Sequence, residues 1–257
     1  MRTLLICHHD ARLDREFLPR WLASFSELAG IVVVRDSSRQ LWRRARRELK
    51  RSGVLGLLDV VAYRLYHRAR LSRADAKREE ALARQLDGRY PALSPGVPTL
   101  ETGSPNTAEA ADFIREARPD VVLARCKHLL KPEVFGVART GTFAMHPGIC
   151  PQYRNAHGCF WALASGDREN VGMTLLKIDA GIDTGPIYGF FRRPLPDPDE
   201  SHASIQDRVV FENLPEIEQT LVAVHAGRAR PIEVTGKPSA VWGQPRLTAY
   251  WRMRRAS

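Results

Sequence analysis

The sequence predicts an α/β fold with an open, twisted and mainly parallel sheet of the Rossmann-like kind. Short β-branched or aliphatic runs alternate along the chain with segments of helical periodicity, which is the pattern of strand–helix–strand units. The 257 residues suffice to bury a core without disulfides. With 44% hydrophobic and 26% charged residues, the composition is that of an ordinary globular protein.

The amino-terminal unit consists of two predicted strands with a helix between them. Residues 3–8 and the run GIVVVR at residues 30–35 are short and aliphatic, whereas apolar residues recur at helical spacing over residues 13–28. A strand, a helix and a strand in this order predict a parallel pair.

A basic helical insertion is predicted at residues 38–90. Between Arg39 and Arg89 there are 15 Lys or Arg and 6 Asp or Glu, so this stretch holds nearly all of the net charge of +10. Apolar residues at helical spacing indicate two or three amphipathic helices. Such helices either bind an anion (nucleic acid, a lipid headgroup, a phosphorylated substrate or a polyglutamate tail) or are simply a solvated face. The sequence leaves these alternatives open.

The remaining elements continue the alternation. Asn106 is the expected N-cap of a helix that ends near Ala117, and residues 91–98 form a Pro-containing connector before it. The α/β domain is expected to span residues 1–227, and residues 228–257 to form a tail that packs on it or on a partner. Further helices are predicted at residues 157–165 and 201–226, and further strands at residues 120–124, 142–145, 171–178 and 186–193.

Several classes of protein are excluded by features that the sequence lacks. No apolar run approaches the ~18 residues of a membrane span, and the apolar start is too short for a secretory signal. Four cysteines without a C-x-x-C pair suit a reducing compartment, so a cytoplasmic location is expected. The G-x-G-x-x-G, G-x-x-x-x-G-K, G-x-S-x-G and H-E-x-x-H motifs are absent, which removes the usual anchors of dinucleotide, ATP, serine hydrolase and metalloprotease sites.

Polar residues directly after predicted strands are the candidates for chemistry, because ligands of an open parallel sheet bind beyond the carboxyl ends of its strands. Three places qualify: residues 125–128, His146 and residues 179–185. A carboxylate beside a histidine can orient the imidazole and raise its pKa, which makes an acid–base pair. We expect His146 and Asp183 to form such a pair.

The run FAMHPGICPQYRNAHGCFWALASGDRENVGMTLLKIDAGIDTGPIYG, residues 143–189, resembles the 10-formyl-tetrahydrofolate-dependent formyltransferases. This superfamily includes the glycinamide ribonucleotide, methionyl-tRNA and sugar-amine enzymes. Its pattern is N-x-H-(P or G)-S-L-L-P-x-x-R-G, followed about 37 residues after the His by D-x-G-x-D-x-G. His146 and Asp183 fall on the motif His and Asp at a separation of 37. The segment DVVLARCKHLLKPEVF, residues 120–135, resembles the strand and loop that receive the pteridine.

The resemblance implies a formyltransferase fold, 10-formyl-tetrahydrofolate as formyl donor and no metal. In the implied reaction an acceptor amine attacks the formyl carbon, His146 stabilises the oxyanion, and Asp183 orients His146 and helps to accept the amine proton. Two segments would line the pterin site: Cys126, Lys127, His128, Leu129 and Leu130 on one side, and Ile178, Asp179, Ala180, Gly181 and Ile182 on the other.

One residue departs from the family pattern. The motif Asn, two residues before the His, is Ala144 here, which has no side-chain donor. Loss of an oxyanion donor typically costs on the order of 10² to 10³ in turnover. Asn155 and His157, which also depart from the family's usual residues, are the expected substitutes. Zinc could in principle bind four residues of this loop, but their spacing matches no usual zinc pattern, and no metal is expected: His146, Cys150, His157 and Cys159.

Three functions therefore remain. The first is formyl transfer to a small amine such as an amino sugar, an amino acid derivative or a biosynthetic intermediate. The second is hydrolysis of 10-formyl-tetrahydrofolate, and the third is an inactive folate- or nucleic-acid-binding protein. A tRNA acceptor is disfavoured, because residues 228–257 look too short for the additional β-barrel of the tRNA enzymes. No membrane partner is expected, and a homodimer is left open.

Overall fold

The computed structural model describes residues 1–195, 197 and 199–256. Its centre is a seven-stranded sheet with the strand order β3-β2-β1-β4-β5-β7-β8, and a two-stranded sheet pairs β6 with β9. The strands are β1 Arg2–His8, β2 Glu27–Val34, β3 Thr99–Thr102, β4 Val121–Arg125, β5 Gly141–His146, β6 Arg154–Asn155, β7 Met173–Lys177, β8 Ile187–Phe191 and β9 Val241–Trp242. The helices are α1 Arg12–Phe25, α2 Ser38–Tyr66, α3 Ser72–Arg89, α4 Ala108–Ala117, α5 Pro132–Phe135, α6 Gly158–Ala164, α7 His202–Phe211, α8 Leu214–His225 and α9 Leu247–Ala256.

The sheet is parallel from β3 to β5, whereas β7 and β8 join it antiparallel. This confirms the predicted α/β fold with a mainly parallel sheet. The chain runs from β1 outward to β2 and β3 and then returns to β4 on the other side of β1. The strand order therefore reverses beside β1, and the carboxyl ends of β1, β2, β4 and β5 lie at one edge of the sheet, where ligands of such sheets bind.

Apolar side chains cover both faces of the sheet. On one face α1 buries Phe17 and Trp21 against strand residues such as Leu5 and Leu123. On the opposite face α4 buries Ile114 against a second cluster of strand residues. Burial on both sides explains why the strands read as continuous aliphatic runs rather than as alternating ones.

The basic insertion is confirmed as two helices, α2 and α3, joined by a π-helical turn at His67–Leu71. A capping box at Ser37 starts α2, where the Ser37 side chain accepts from the Gln40 backbone and the Gln40 side chain accepts from the Ser37 N–H. Gly53 interrupts α2 with a φ of 71°, a conformation that favours glycine.

The structure differs from the sequence-based expectations at three places in particular. The helical stripe over residues 201–226 is two helices, because Pro215 lacks the N–H that would continue α7 into α8. The short edge strand β3 was not predicted, since four residues with two polar threonines give little periodicity. Thr107, not Asn106, caps α4 by accepting from Ala110 N–H.

The carboxy-terminal segment returns to the main domain. Ile232 forms a β-bridge with Ile187 of β8, and β9 pairs in parallel with β6. The Trp242 ring stacks on Trp161 of α6, with ring centroids 4.8 Å apart. The last helix, α9, lies along α2 and α6.

Candidate active site

His146 and Asp183 come together although they are far apart in sequence. His146 is the last residue of β5, and its side chain is only 7% exposed. Asp183 lies in the loop between β7 and β8, and its Oδ2 is 3.5 Å from His146 Nδ1. Because β7 runs antiparallel to β5, the loop after β7 would end at the opposite edge; residues 178–183 therefore fold back to reach the histidine.

Hydrogen bonds hold the Asp183 loop against the segment after β5. The Asn155 backbone N–H donates to Asp183 Oδ2 at 2.7 Å, and Arg154 Nη1 donates to the Ile182 carbonyl at 3.1 Å. One carboxylate oxygen thus faces both an imidazole and a backbone donor. Such hydrogen bonds fix the orientation of the carboxylate.

The other ring nitrogen of His146 is also engaged. Nε2 donates to the Tyr153 carbonyl at 2.7 Å, inside the segment that joins β5 to α6. The formyl oxygen of a substrate would have to compete with Tyr153 for this donor. The ring is therefore held at both nitrogens before any ligand binds.

The segment from β5 to α6 folds closely around His146. A Cβ added at Gly148 would lie 2.6 Å from the Tyr153 carbonyl oxygen and 2.7 Å from His146 Nε2. Asn155, His157 and Asp183 have positive φ values of 79°, 53° and 50°. Non-glycine residues in this region cost of order 1–3 kcal/mol each and often cluster at functional sites.

The chain is also similar to known proteins. The family model described as "Formyl transferase" matches residues 71–220, which is more than half of the chain. The chain belongs to the formyl transferase family. A methionyl-tRNA formyltransferase of Chlorobium limicola is 34% identical over 109 residues, which cover 42% of this chain and 34% of that protein. The chain spans 34%, 45% and 48% of the length of three such relatives.

Solved structures of the family share the fold. A sugar N-formyltransferase from Shewanella sp FDAARGOS_354 aligns with a TM-score of 0.58 at 12% identity, over 100% of this chain and 88% of that one. A formyltransferase from Anoxybacillus kamchatkensis, solved in complex with UDP-4,6-dideoxy-4-formamido-L-AltNAc and tetrahydrofolate, aligns with a TM-score of 0.50 at 12% identity, over 93% of this chain and 85% of that one.

Ala144 stands where the family motif has an asparagine. In β5 it lies on the same face as His146, two residues earlier, and it packs against Cys150, Leu176 and Ile187. Its methyl group offers no hydrogen bond to a substrate. The pair that the sequence resemblance assigns to the family's His and Asp therefore has no side-chain donor at position 144 beside it.

The two predicted substitute donors have other partners. Asn155 Nδ2 donates to the Trp242 carbonyl, and the residue faces Asp183 through its backbone N–H. The His157 ring packs edge-on against His202, with centroids 5.3 Å apart. Burial, together with the charges of Lys127 and Arg64, lowers the pKa of His157 to about 4. Their role as oxyanion donors stays a prediction.

The loop after β4 presents both buried and exposed apolar residues. Leu130 is buried, whereas Leu129 is 57% exposed. Asn106 clamps this loop, because its Nδ2 donates to the Leu129 carbonyl and its Oδ1 accepts from Lys131 N–H. The Cys126 thiol donates to the His128 carbonyl at 3.8 Å, and burial raises its pKa to about 11.

The opposite predicted wall of the pterin site is the loop that begins at Ile178. Ile178 packs against the core, and Ile182 is 42% exposed. Asp179 accepts from Gly181 N–H at 2.9 Å and from Thr184 Oγ1 at 2.8 Å, so it shapes this turn. Ala180 is exposed and Gly181 partly so.

A separate polar cluster lies at the carboxyl ends of β1, β2 and β4. His8, Asp36 and His128 place one ligand atom each within 4.8 Å of one another, and among the described residues these form the one group with metal-ligand chemistry. Burial and Lys127 lower the pKa of His8 to about 4. The Arg44 guanidinium, however, binds both carboxylate oxygens of Asp36. A metal ion would have to displace this cation. We therefore interpret the cluster as an Arg44–Asp36 ion pair with the His8 and His128 rings beside it.

A cavity of about 510 Å³ lies away from the His146–Asp183 pair. Its lining comes from the π-helical turn, α3, α7 and the segment before α7, and includes Asp75, Glu79, Asp207 and Arg208. Burial raises the pKa of Asp207 to about 7, and Arg125 opposes this effect. Arg125 also donates to Asp14 at 2.5 Å, so this ion-pair group ties β4 to α1 and α7.

Sequence reasoning missed the contribution of Tyr153 and Trp242 to the site. Tyr153 supplies the carbonyl that holds His146, and its ring stacks on Trp242 with centroids 5.8 Å apart. Trp242 Nε1 donates to the Gln152 carbonyl at 2.8 Å. The sequence signal for these roles is a tryptophan in the carboxy-terminal tail.

Proposed function

We propose that the protein transfers a formyl group from 10-formyl-tetrahydrofolate to the amine of a small molecule. The observation that carries this proposal is the contact between His146 Nδ1 and Asp183 Oδ2 at 3.5 Å. The sequence resemblance assigns these residues to the family's His and Asp, and both lie within the range that the family model matches. Acid–base groups placed at the ligand-binding edge of an open sheet are what this reaction needs.

The roles of the two residues follow from their contacts. Asp183, fixed by Asn155 N–H, orients the imidazole and accepts a proton from the attacking amine, directly or through water. His146 Nε2, released from the Tyr153 carbonyl, donates to the oxygen that becomes negative during attack. The donor, when bound, supplies an activated formyl carbon.

The proposed pterin site fits an aromatic, partly apolar ligand. Leu129 and Ile182 expose large apolar side chains on the two loops that flank the His146 edge. Pockets for such ligands combine apolar walls with a few fixed polar groups. The exposed fractions of these side chains, 57% and 42%, are costly in water unless a ligand covers them. Tetrahydrofolate in the Anoxybacillus kamchatkensis structure supports the same ligand here.

A small amine is the proposed class of acceptor. The match of the whole chain to the fold of a sugar N-formyltransferase supports it. The relatives named methionyl-tRNA formyltransferase favour the alternative acceptor, an aminoacyl-tRNA, although they match only part of the chain. Assays with amino sugars and with methionyl-tRNA separate the two.

The test measures tetrahydrofolate formation from 10-formyl-tetrahydrofolate with and without a panel of amines. We expect product only with an amine, and we expect His146→Ala or Asp183→Ala to lower turnover by at least about 10²-fold, since each removes a proton-transfer group. His225→Ala and Asp112→Ala, at exposed positions, are the matched controls and should keep wild-type rates.

Two results contradict the proposal. Formate release without any amine would identify a hydrolase, the second candidate function. Wild-type rates in either site variant would remove the pair from the mechanism. Circular dichroism and thermal unfolding of each variant show that a lost activity is not lost folding.

A further inference from the structure

Helix α2 exposes an unusual amount of apolar surface. Among its described residues, Val60 and Tyr63 are buried, while eight large hydrophobic side chains are more than a third exposed. Leu55 is 82% exposed and Trp42 64%. Large contiguous apolar patches on a protein surface mark sites of interaction. The eight residues are Leu41, Trp42, Leu49, Val54, Leu55, Leu58, Val61 and Leu65.

These residues form one row on each side of the Gly53 kink. Leu41, Ala45 and Leu49 are spaced by four residues, and Val54, Leu58, Val61 and Leu65 by three or four, so each set lies in one row. We call these two rows, with Trp42 and Leu55 beside them, the apolar face of α2. It is not the side that packs on the domain, because Tyr63 packs against Phe160 of α6.

Apart from these apolar residues, α2 is strongly basic. Helix α2 contains eight Lys or Arg against two acidic residues, Glu48 and Asp59. Asp59 is already committed to Thr248 of α9, which donates to it through both its N–H and its hydroxyl. Arg43, Arg47 and Lys50 are exposed. They alternate in sequence with the residues of the apolar row and therefore lie on a different side of the helix. The helix therefore combines a Leu- and Trp-rich face with an arginine-rich one.

Helix α9 adds a second surface of the same kind. The hydrogen bonds of Thr248 to Asp59 and the tilted packing of Tyr250 on Tyr66, with ring centroids 5.3 Å apart, fix it along α2. Trp251 is 48% exposed, and Arg252 and Arg255 lie beside it around a shallow depression. Two packed helices thus each present an exposed tryptophan among arginines.

We propose that the apolar face of α2, together with Trp251 of α9, docks on an anionic lipid surface. A helix with Leu and Trp on one side and Lys or Arg on the other lies in the plane of a membrane interface, where acyl chains cover the apolar side and headgroups the charged one. Tryptophan is favoured at that boundary because its ring is apolar and its N–H is polar. The inference does not rest on the proposed function.

Charge and burial distinguish this occupant from two others. A nucleic acid would neutralise the arginines through its phosphates and leave eight large apolar side chains in water. A second copy of the chain would cover the apolar side but bring together two helices that each have an excess of six positive charges. An anionic lipid surface would both cover the apolar side chains and neutralise the positive charge. No helix among the described residues is long and apolar enough to span a bilayer, so the contact is peripheral.

The test is flotation of the full chain with vesicles of phosphatidylcholine alone, or of phosphatidylcholine and phosphatidylserine in equal parts. We expect binding to the anionic vesicles to be at least about tenfold tighter and to weaken with added salt. Arg43→Glu/Arg47→Glu should weaken it at least about tenfold. Arg228→Glu/Arg230→Glu makes the same change in net charge at exposed positions of the tail and should stay within about twofold of wild type.

The apolar half of the surface is tested separately. Leu55→Glu/Leu58→Glu should abolish flotation, whereas Ile232→Glu, at a residue 40% exposed on another surface, should not. Thermal unfolding checks that each variant still folds. The proposal is overturned if wild type does not float with anionic vesicles or if all variants float equally. It is also overturned if a concentration-dependent dimer, dissolved by Leu55→Glu/Leu58→Glu, or salt-sensitive RNA binding occurs in place of vesicle binding.

Discussion

At the scale of single residues, the site combines a retained pair with a missing donor. His146 and Asp183 meet at 3.5 Å, whereas Ala144, on the same face of β5, has only a methyl group. Asn155 is nearby in the structure but uses its amide on the Trp242 carbonyl. Any stabilisation of an oxyanion in this site therefore depends on the His146 donor more than the family motif would require.

We predict that Ala144→Asn raises turnover. An asparagine at this position would place an N–H₂ donor beside His146, and such a donor is worth up to about 10² to 10³ in turnover. Steady-state kinetics of formyl transfer measure the gain, and Ala144→Leu, which adds bulk without a donor, is the control. Equal rates in wild type and Ala144→Asn would mean that another group already supplies the hydrogen bond.

At the scale of elements, the segment between β5 and α6 depends on close backbone contacts. The Gly148 backbone lies so close to Tyr153, His146 and Gly158 that there is no room for a side chain. These contacts set the hydrogen bond between His146 Nε2 and the Tyr153 carbonyl. The position of the catalytic candidate is thus coupled to the shape of this loop.

We predict that Gly148→Ala lowers both stability and activity. The added Cβ would approach the Tyr153 oxygen to 2.6 Å and His146 Nε2 to 2.7 Å, so the loop must shift; overpacking of this kind costs about 1–3 kcal/mol. Gly88→Ala is the matched control, because a Cβ there meets nothing within 4 Å in a helix and should raise stability by about 1 kcal/mol. Urea unfolding and turnover are measured for both; unchanged stability in Gly148→Ala would show that the loop adapts.

At the scale of the whole molecule, buried histidines connect the core to the insertion and the carboxy-terminal helices. His202 at the start of α7 accepts or donates a 3.0 Å hydrogen bond with the Tyr63 hydroxyl of α2 and packs against His157 and Phe160. Burial lowers the pKa of His202 well below its usual value and that of His157 to about 4. Both imidazoles are therefore neutral in the folded protein.

We predict that the protein loses stability as the pH falls below about 6.5. Unfolded histidine takes up a proton near pH ~6.5, whereas folded His157 does so only near about 4, so the unfolded state binds more protons in between. His157 alone should lower the free energy of unfolding by about 2 kcal/mol from about pH 7 to about pH 5. Urea unfolding across this range should show a smaller slope in His157→Asn/His202→Gln. The exposed control His225→Gln should keep the wild-type slope, and equal slopes in all three proteins would contradict the prediction.

Local pattern predicted much of the architecture. The aliphatic runs gave β1, β4 and β5 to within one residue at either end and β2 to within three, because strands covered on both faces are apolar throughout. Asn106 shows the limit of such reasoning: it has the chemistry of a cap, but its side chain holds the Leu129 loop instead. Choosing between Asn106 and Thr107 requires backbone geometry that neither residue type fixes.

The sequence by itself determined the fold class, the family and the two residues proposed for catalysis, since periodicity and motif spacing are local or pairwise features. Tertiary structure alone decided that the Tyr153 carbonyl holds His146, that Trp242 from the tail closes the same loop, and that the apolar face of α2 lies away from the core. The physical reason is that these depend on contacts across long stretches of chain. Whether an apolar stripe is buried is set by what packs against it, and the stripe itself looks the same in either case.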